Sequence, residues 1–321
     1  ETYPSTPEAR YALTGLKNTY IEMNDVESYF SYVRTIGYGD VNLAEKDSML
    51  YASGENLYIS GNCERASEIF RNYLREFQNG SFRLNAQFYL AECLNSSGNK
   101  TEAIGLYREV IRIPNNQFME QALVSASAIL YEQEEYSAAF EYYERLEKSA
   151  TTSDLKLTAL RGQLRSAYQE GDAQKSIKAA ERIKNSQGIP EELMREATFV
   201  NAKAHYSLNE FDEALADFRR LAREVVSAEG AESKYRVAEI LFRNGNIEES
   251  ERNVTQFIDQ NSPHPFWMAK MFLLLADISI NKGDTLQARA TLQSLREYYT
   301  ITDDGILDEV KEKLASLDDV K

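Results

Sequence analysis

Leu90-Ala91-Glu92-Cys93-Leu94-Asn95-Ser96-Ser97-Gly98-Asn99-Lys100-Thr101-Glu102-Ala103-Ile104-Gly105-Leu106-Tyr107 is one of eight copies of a single phrase. Apolar residues recur in it at steps of three and four, the period of an amphipathic helix. Gly98 interrupts the pattern, and a second helical run follows with a small residue near its start. Equivalent interruptions fall at Asn24, Gly61, Glu134, Gly171, Asn209, Gly245 and Gly283, spaced by 36 to 38 residues. Self-similarity at this period predicts a solenoid of stacked helix pairs, since one pair cannot bury its apolar face alone. No stretch alternates in the manner of a strand.

Three further positions repeat with the turn. Five residues after it stand Ala66, Ala103, Ala139, Ser176, Ala214, Ser250 and Ala288, with Tyr29 the exception. A small side chain there lets two helices cross closely. Seven residues before it stand Gly54, Ala91, Ser127, Ala202, Ala238 and Ala276. Copies one and five instead carry their glycine two residues earlier, as Ala12-Leu-Thr-Gly15 and Ala159-Leu-Arg-Gly162, which reads as a close kinship between them. Nine residues after the turn stand Val33, Phe70, Tyr107, Tyr143, Phe218, Val254 and Leu292, with Ala180 the smallest, and these are expected to fill the space between repeats.

Leu90-Ala91, Gly98, Ala103, Tyr107 and Pro114 reproduce in order the pattern of the tetratricopeptide repeat, which the chain resembles from about Pro7 to Thr302. The copies run two to four residues longer than the usual 34, with the extra length near Pro114, Pro190 and Pro263. In that respect they look like bacterial cell-envelope members of the family, the outer-membrane assembly lipoproteins and Tol-Pal-associated proteins. The phrase Tyr3-Pro-Ser-Thr-Pro-Glu-Ala is similar to their inter-repeat loop. The resemblance implies an all-α, right-handed superhelical solenoid of about eight helix pairs, continuous over residues 1–321. It also implies a non-catalytic scaffold for protein–protein interaction, in the periplasm or cell envelope, with the cytoplasm as the alternative. Leu307, Val310, Leu314 and Leu317 predict a capping helix within 303–321. The opening on an inter-repeat loop, without an initiator Met, reads as a fragment of a longer array.

The resemblance further assigns the first helix of each pair to a concave, partner-facing surface, at ten, six and three residues before the turn. These positions hold Tyr51, Phe88, Phe199 and Tyr235; then Glu55, Glu92, Glu239 and Asp277; then Tyr58, Tyr131, Tyr168, Tyr206 and Phe242. Copies five and six break the acidic row with Arg165 and Lys203. Aromatics flanked by carboxylates suit a polypeptide with basic and apolar groups. The same aromatics could equally serve repeat-on-repeat contacts.

The formal net charge of −15 argues against a nucleic-acid partner, which requires basic clusters to neutralise phosphates. No apolar run reaches the length of a membrane span. His205 and His264 are far apart, and the chain has no HExxH or CxxC motif, phosphate loop or nucleophile elbow. Gly37-Tyr-Gly39 lacks the strand and third glycine of a dinucleotide loop. No cofactor, metal or catalytic residue is therefore expected. Cys63 and Cys93 should be spatial neighbours, either as a disulfide or, given its restrictive geometry, as two partly buried thiols. Partner identity and oligomeric state are left open. The alternative functions are a self-associating structural array and an accessory region of a larger enzyme or regulator.

Overall fold

The computed structural model describes residues 6–37 and 42–319. Tyr3–Ser5 of the loop-like phrase and Tyr38-Gly39 of the glycine pair lie outside the described residues. The described residues form seventeen helices and no strand, an all-α helical repeat fold. The chain divides into two compact units, residues 1–162 and 163–321, with the boundary inside one helix.

The first unit runs α1 (Pro7–Met23), α2 (Val26–Thr35), α3 (Leu43–Ile59), α4 (Cys63–Glu76), α5 (Arg83–Ser96), α6 (Lys100–Arg112), α7 (Met119–Glu132) and α8 (Tyr136–Ser149) into α9 (Ser153–Glu170). The second continues with α10 (Ala173–Lys184), α11 (Glu191–Ser207), α12 (Phe211–Leu221), α13 (Ala228–Arg243), α14 (Ile247–Asp259), α15 (Pro265–Asn281), α16 (Thr285–Tyr298) and α17 (Ile306–Asp319). Odd-numbered helices from α1 to α15 are the first members of the eight pairs.

Every pair turns in the same way. All eight turn residues have positive φ, from 57° at Asn24 to 84° at Gly98. Glycine and asparagine enter this left-handed region most readily, whereas Glu134, with φ of 62°, does so against the usual Cβ penalty. In each copy the N–H two places past the helix end reaches back to the carbonyl five residues earlier, as Asn62 to Leu57, Asn99 to Leu94 and Glu135 to Leu130. That is the 6→1 bond of a Schellman ending. The same residue begins the next helix. Asp25, Asn62, Asp172 and Asp284 accept side-chain cap bonds from Ser28, Arg65, Lys175 and Gln287. Two residues thus end one helix and start another, satisfying backbone groups at both ends.

The small residue five positions on is fully enclosed. Ala66, Ala103, Ala139, Ala214, Ser250 and Ala288 have no exposed surface. At the α13–α14 crossing, Ser250 Oγ donates to the Ala238 carbonyl at 2.7 Å, so the two helices approach within hydrogen-bond reach. Ala103→Leu is expected to cost about 1–3 kcal/mol through overpacking at the equivalent α5–α6 crossing. Its neighbour Glu102 lies at the surface, partly covered. It receives both guanidinium amines of Arg71 on α4. The pair is solvated, so Glu102→Leu should cost only about 0–1 kcal/mol. Urea melts that gave the two variants equal losses would show the register to be wrong.

The glycines of copies one and five differ in their surroundings. A Cβ on Gly162 would stand 2.5 Å from three ring atoms of Tyr143, whereas one on Gly15 would meet nothing within 4 Å. The shared sequence signature does not carry a shared contact. Cys63 and Cys93 also depart from the thiol expectation. They form a disulfide that joins the start of α4 to α5, with Cα atoms 5.0 Å apart. The close approach of α4 and α5 brings the Cα atoms within the span that disulfides favour.

At the end of the second unit, Ile306, Val310, Leu314 and Leu317 of α17 are buried against Ala269, Leu273, Ala288 and Leu292 of α15 and α16.

Candidate partner-binding surface

The predicted residues fall into three rows along the first helices of the pairs, and the rows have different environments. In the row ten residues before the turn, Tyr51, Phe88 and Tyr235 are core residues, exposed by only 5 to 6%. Tyr51 stacks on Phe82 at 4.4 Å and Phe88 on Phe118 at 4.4 Å, each in the segment leading into the next first helix. Tyr235 lies 5.5 Å from Trp267 on α15. These rings are used for repeat-on-repeat contact, which leaves a partner little of their surface. Phe199, in the same row, is half-buried, with the Lys203 ammonium 5.5 Å from its ring centre.

The charged row, six residues before the turn, is internally matched. Glu55 accepts the Tyr51 hydroxyl at 2.5 Å. Glu92 accepts the Tyr107 hydroxyl at 2.5 Å and the Ser125 hydroxyl at 3.2 Å. Burial, then the bond to the carboxylate, pushes the Tyr51 and Tyr107 hydroxyls well above the usual tyrosine range, so both stay protonated donors. Asp277 takes the Lys313 ammonium at 2.6 Å. Where the row turns basic, the acid comes from the next first helix, with Arg165 bonded to Glu196 at 2.6 Å and Lys203 to Glu232 at 2.7 Å. The break in the acidic row is therefore a local exchange of sign. Glu196 and Glu232 each lie thirteen residues before their own turn, and that regularity was present in the sequence.

Glu239 sits at the most developed of these sites. Its carboxylate is 13% exposed and accepts from Arg236 at 2.8 Å, Tyr206 at 2.8 Å and Arg243 at 3.2 Å. Burial alone would raise its pKa, but the hydrogen bond and charge of Arg236, then Tyr206 and Arg243, outweigh it and hold the carboxyl below the ordinary glutamate value. The Arg236 guanidinium faces three rings, 4.6 Å from Tyr206, 5.4 Å from Tyr235 and 5.9 Å from Trp267. Tyr206, Tyr235 and Glu239 are thus brought together by α11 and α13. Arg236 and Trp267 complete the cluster without having been foreseen. The one tryptophan of the chain, one repeat beyond Tyr235, was the available signal.

The third row, three residues before the turn, stays at the surface. Tyr58, Tyr131, Tyr206 and Phe242 are half-buried and Tyr168 is exposed. Tyr58 stacks on Tyr89 at 4.5 Å, and Tyr131 meets Tyr136 edge-on at 5.3 Å. These two rings are braced from one side and remain partly exposed. Two concavities lie in the second unit, neither lined by a residue of the three rows. One, of ≈ 570 Å³, is apolar and lined by Met268, Phe272, Leu295 and Tyr298 among others. The other, of ≈ 800 Å³, is lined by Arg195, Arg220 and Arg223 with Glu191 and Glu224.

His205 lies on α11 with Nδ1 2.7 Å from Glu210, and His264 precedes α15 with Nε2 2.9 Å from the Val226 carbonyl. Among the described residues no cluster of His, Cys, Asp or Glu is placed to hold a metal ion. None of the described helices is long and apolar enough to cross a membrane.

Two stretches match the model of the family described as "Tetratricopeptide repeat", residues 51–117 and 199–263. No curated protein matches the chain. Similar solved structures include a tetratricopeptide repeat protein from Parabacteroides merdae, at 13% identity and TM-score 0.42, covering 84% of this chain and all of that one. The apo form of the quorum sensor NprR from B. thuringiensis is 11% identical with TM-score 0.47, over 97% of this chain and 93% of its own. The P58(IPK) TPR domain is 16% identical with TM-score 0.30, over 86% and 78%. The tetratricopeptide repeat is the family supported here, over residues 51–117 in the first unit and 199–263 in the second.

Proposed function

We propose that the chain is a non-catalytic scaffold that binds a polypeptide along the first-helix faces of its repeats, each unit presenting its own row of aromatic residues. The observation that carries this reading is the row at Tyr58, Tyr131, Tyr168, Tyr206 and Phe242, present in five of the eight repeats, all partly exposed, with Tyr58 and Tyr131 braced by a neighbouring ring. Rings held in this way offer contact area at little cost in side-chain entropy, the usual basis of interface hot spots. The matched charges at Glu55, Glu92, Glu239 and Asp277 serve chiefly to hold the rings and the helices. The net charge of −15 then acts at longer range, steering a basic partner. The bacterial cell envelope is the proposed setting. The Cys63–Cys93 disulfide supports it, since such bonds persist in oxidising compartments such as the periplasm.

The test is affinity capture from the native cell followed by binding kinetics on the captured polypeptide. Tyr131→Ala and Phe242→Ala should each speed dissociation by about tenfold or more. Added salt should slow association while leaving dissociation nearly unchanged. If both variants leave both rates unchanged, the first-helix faces are not the binding surface.

A further inference from the structure

In the second unit, the concavity of ≈ 800 Å³ gathers three arginines from three successive segments. Arg195 comes from α11, Arg220 from the last turn of α12, and Arg223 from the segment that leads into α13. The other lysine and arginine of these two helices are each taken by an acid, Lys203 by Glu232 at 2.7 Å and Arg219 by Glu249 at 2.9 Å. Among the described residues, Arg195, Arg220 and Arg223 make no ion pair and no hydrogen bond, although Glu191 and Glu224 line the same concavity. A chain with 51 acidic against 36 basic residues has carboxylates to spare, so three uncompensated guanidiniums in one recess run against its general balance.

The segment that carries Arg223 is held in place. Val225 is buried, and its carbonyl accepts the Ser262 hydroxyl at 2.8 Å. The Val226 carbonyl lies 2.9 Å from His264 Nε2. The Glu224 carbonyl accepts the Ser227 hydroxyl at 3.1 Å and packs against Gly230, where a Cβ would collide with it. Arg223 and Glu224 therefore extend from a fixed backbone, which lowers the ordering cost of closing on a ligand. Two helix starts border the recess, at Glu191 of α11 and at Ser227 before α13, against one helix end at Leu221 of α12, which adds to its positive side. Guanidiniums grip oxyanions through pairs of parallel N–H donors. Three of them call for three acceptor oxygens, more than a carboxylate has and the number that a phosphate monoester presents at its end. From the unpaired arginines and their fixed setting we infer that this recess binds a phosphate monoester, its terminal oxygens taken by Arg195, Arg220 and Arg223. Glu191 and Glu224 leave the three guanidiniums a small positive excess, which suits one compact anion and not a polyanion. The two carboxylates would accept hydroxyl or amine donors of the molecule that carries the phosphate. The site shares no residue with the aromatic row proposed above and does not rest on it.

The probes are inorganic phosphate, free phosphoserine and phosphoserine within a short alanine peptide, each titrated into the full chain by calorimetry at constant ionic strength. Phosphate probes should bind saturably at one site, and glutamate, the carboxylate control, should bind about tenfold more weakly than phosphoserine or worse. The tighter of the two phosphoserine probes shows whether the carrier is a small molecule or a polypeptide. Arg220→Gln and Arg223→Gln should each weaken phosphoserine binding by about tenfold, the worth of a charge-assisted hydrogen bond. Arg220→Lys keeps the charge but loses the fork, and should still weaken it by about threefold. Arg108→Gln removes an exposed arginine of the first unit and should leave the affinity unchanged. All of these side chains are exposed, so the variants should melt with the parent, which separates a lost site from an unfolded chain. Absence of saturable binding by every phosphate probe, glutamate binding as tightly as phosphoserine, or full affinity in both glutamine variants at Arg220 and Arg223 would overturn the proposal.

Discussion

Replacing both Cys63 and Cys93 by serine is expected to lower the unfolding free energy by about 3–4 kcal/mol. The bond closes a loop with a sequence separation of 30, and the chain-entropy account of cross-linking gives about that value for such a loop. It acts where the solenoid has few other long-range restraints. Each repeat touches its neighbours alone, so the α4–α5 contact must otherwise be held by side chains. Those side chains are substantial, with Phe70 and Tyr73 of α4 fully buried beside Leu90 and Leu94 of α5. The variant should therefore keep its helices and unfold at lower denaturant, with a slope no smaller than the parent's, because its unfolded chain is released from the cross-link. Denaturant melts should show reductant shifting the parent midpoint to that of the double variant and leaving the variant unmoved. Coincident midpoints for parent and variant would mean that the bond contributes no stability.

That bond also shows where the sequence stopped being legible. Repeat period and turn residues follow from local chemistry, so the eight turns could be placed, including Glu134, which only the spacing marks. The pairing of Cys63 with Cys93 depends on how closely two helices of different repeats cross, and a 3.6-residue period says nothing of that. The aromatic rows pose the same problem. Periodicity identifies the helix face turned toward its own partner. It does not separate the flank covered by the next repeat, where Tyr51, Phe88 and Tyr235 lie, from the flank left open, where Tyr58, Tyr131 and Phe242 lie. The charged row was readable in principle. Arg165 and Lys203 look like exceptions until they are set against Glu196 and Glu232, each thirteen residues before the following turn.

Asp47 is the residue whose importance nothing in the repeat pattern announced, and Asp47→Ala is expected to cost about 2–4 kcal/mol. Its carboxylate is buried on α3, accepting the Tyr73 hydroxyl and, at 2.9 Å, the Ser81 backbone N–H. The Tyr73 oxygen in turn accepts the Phe82 N–H at 3.0 Å. Burial first, then the bond to Asp47, pushes the Tyr73 hydroxyl far above its ordinary value, so it stays a donor. Gly80 belongs to the same arrangement, because a Cβ there would collide with the Tyr73 hydroxyl and come within 3.0 Å of the Asp47 carboxylate. The network anchors the segment between α4 and α5, and that segment carries Phe82, the ring stacked on Tyr51. Truncating Asp47 leaves the buried Tyr73 hydroxyl without its acceptor, at roughly 1–3 kcal/mol, and also releases the partly covered Ser81 N–H. Asp47→Asn retains an acceptor oxygen and should cost less. In a double-mutant cycle with Tyr73→Phe, the two losses should fall short of adding, because the second change removes a donor already orphaned by the first. Urea melts of the four proteins read this directly. An Asp47→Ala loss below about 1 kcal/mol, or strict additivity with Tyr73→Phe, would show that the segment is held by its apolar contacts and not by the buried carboxylate.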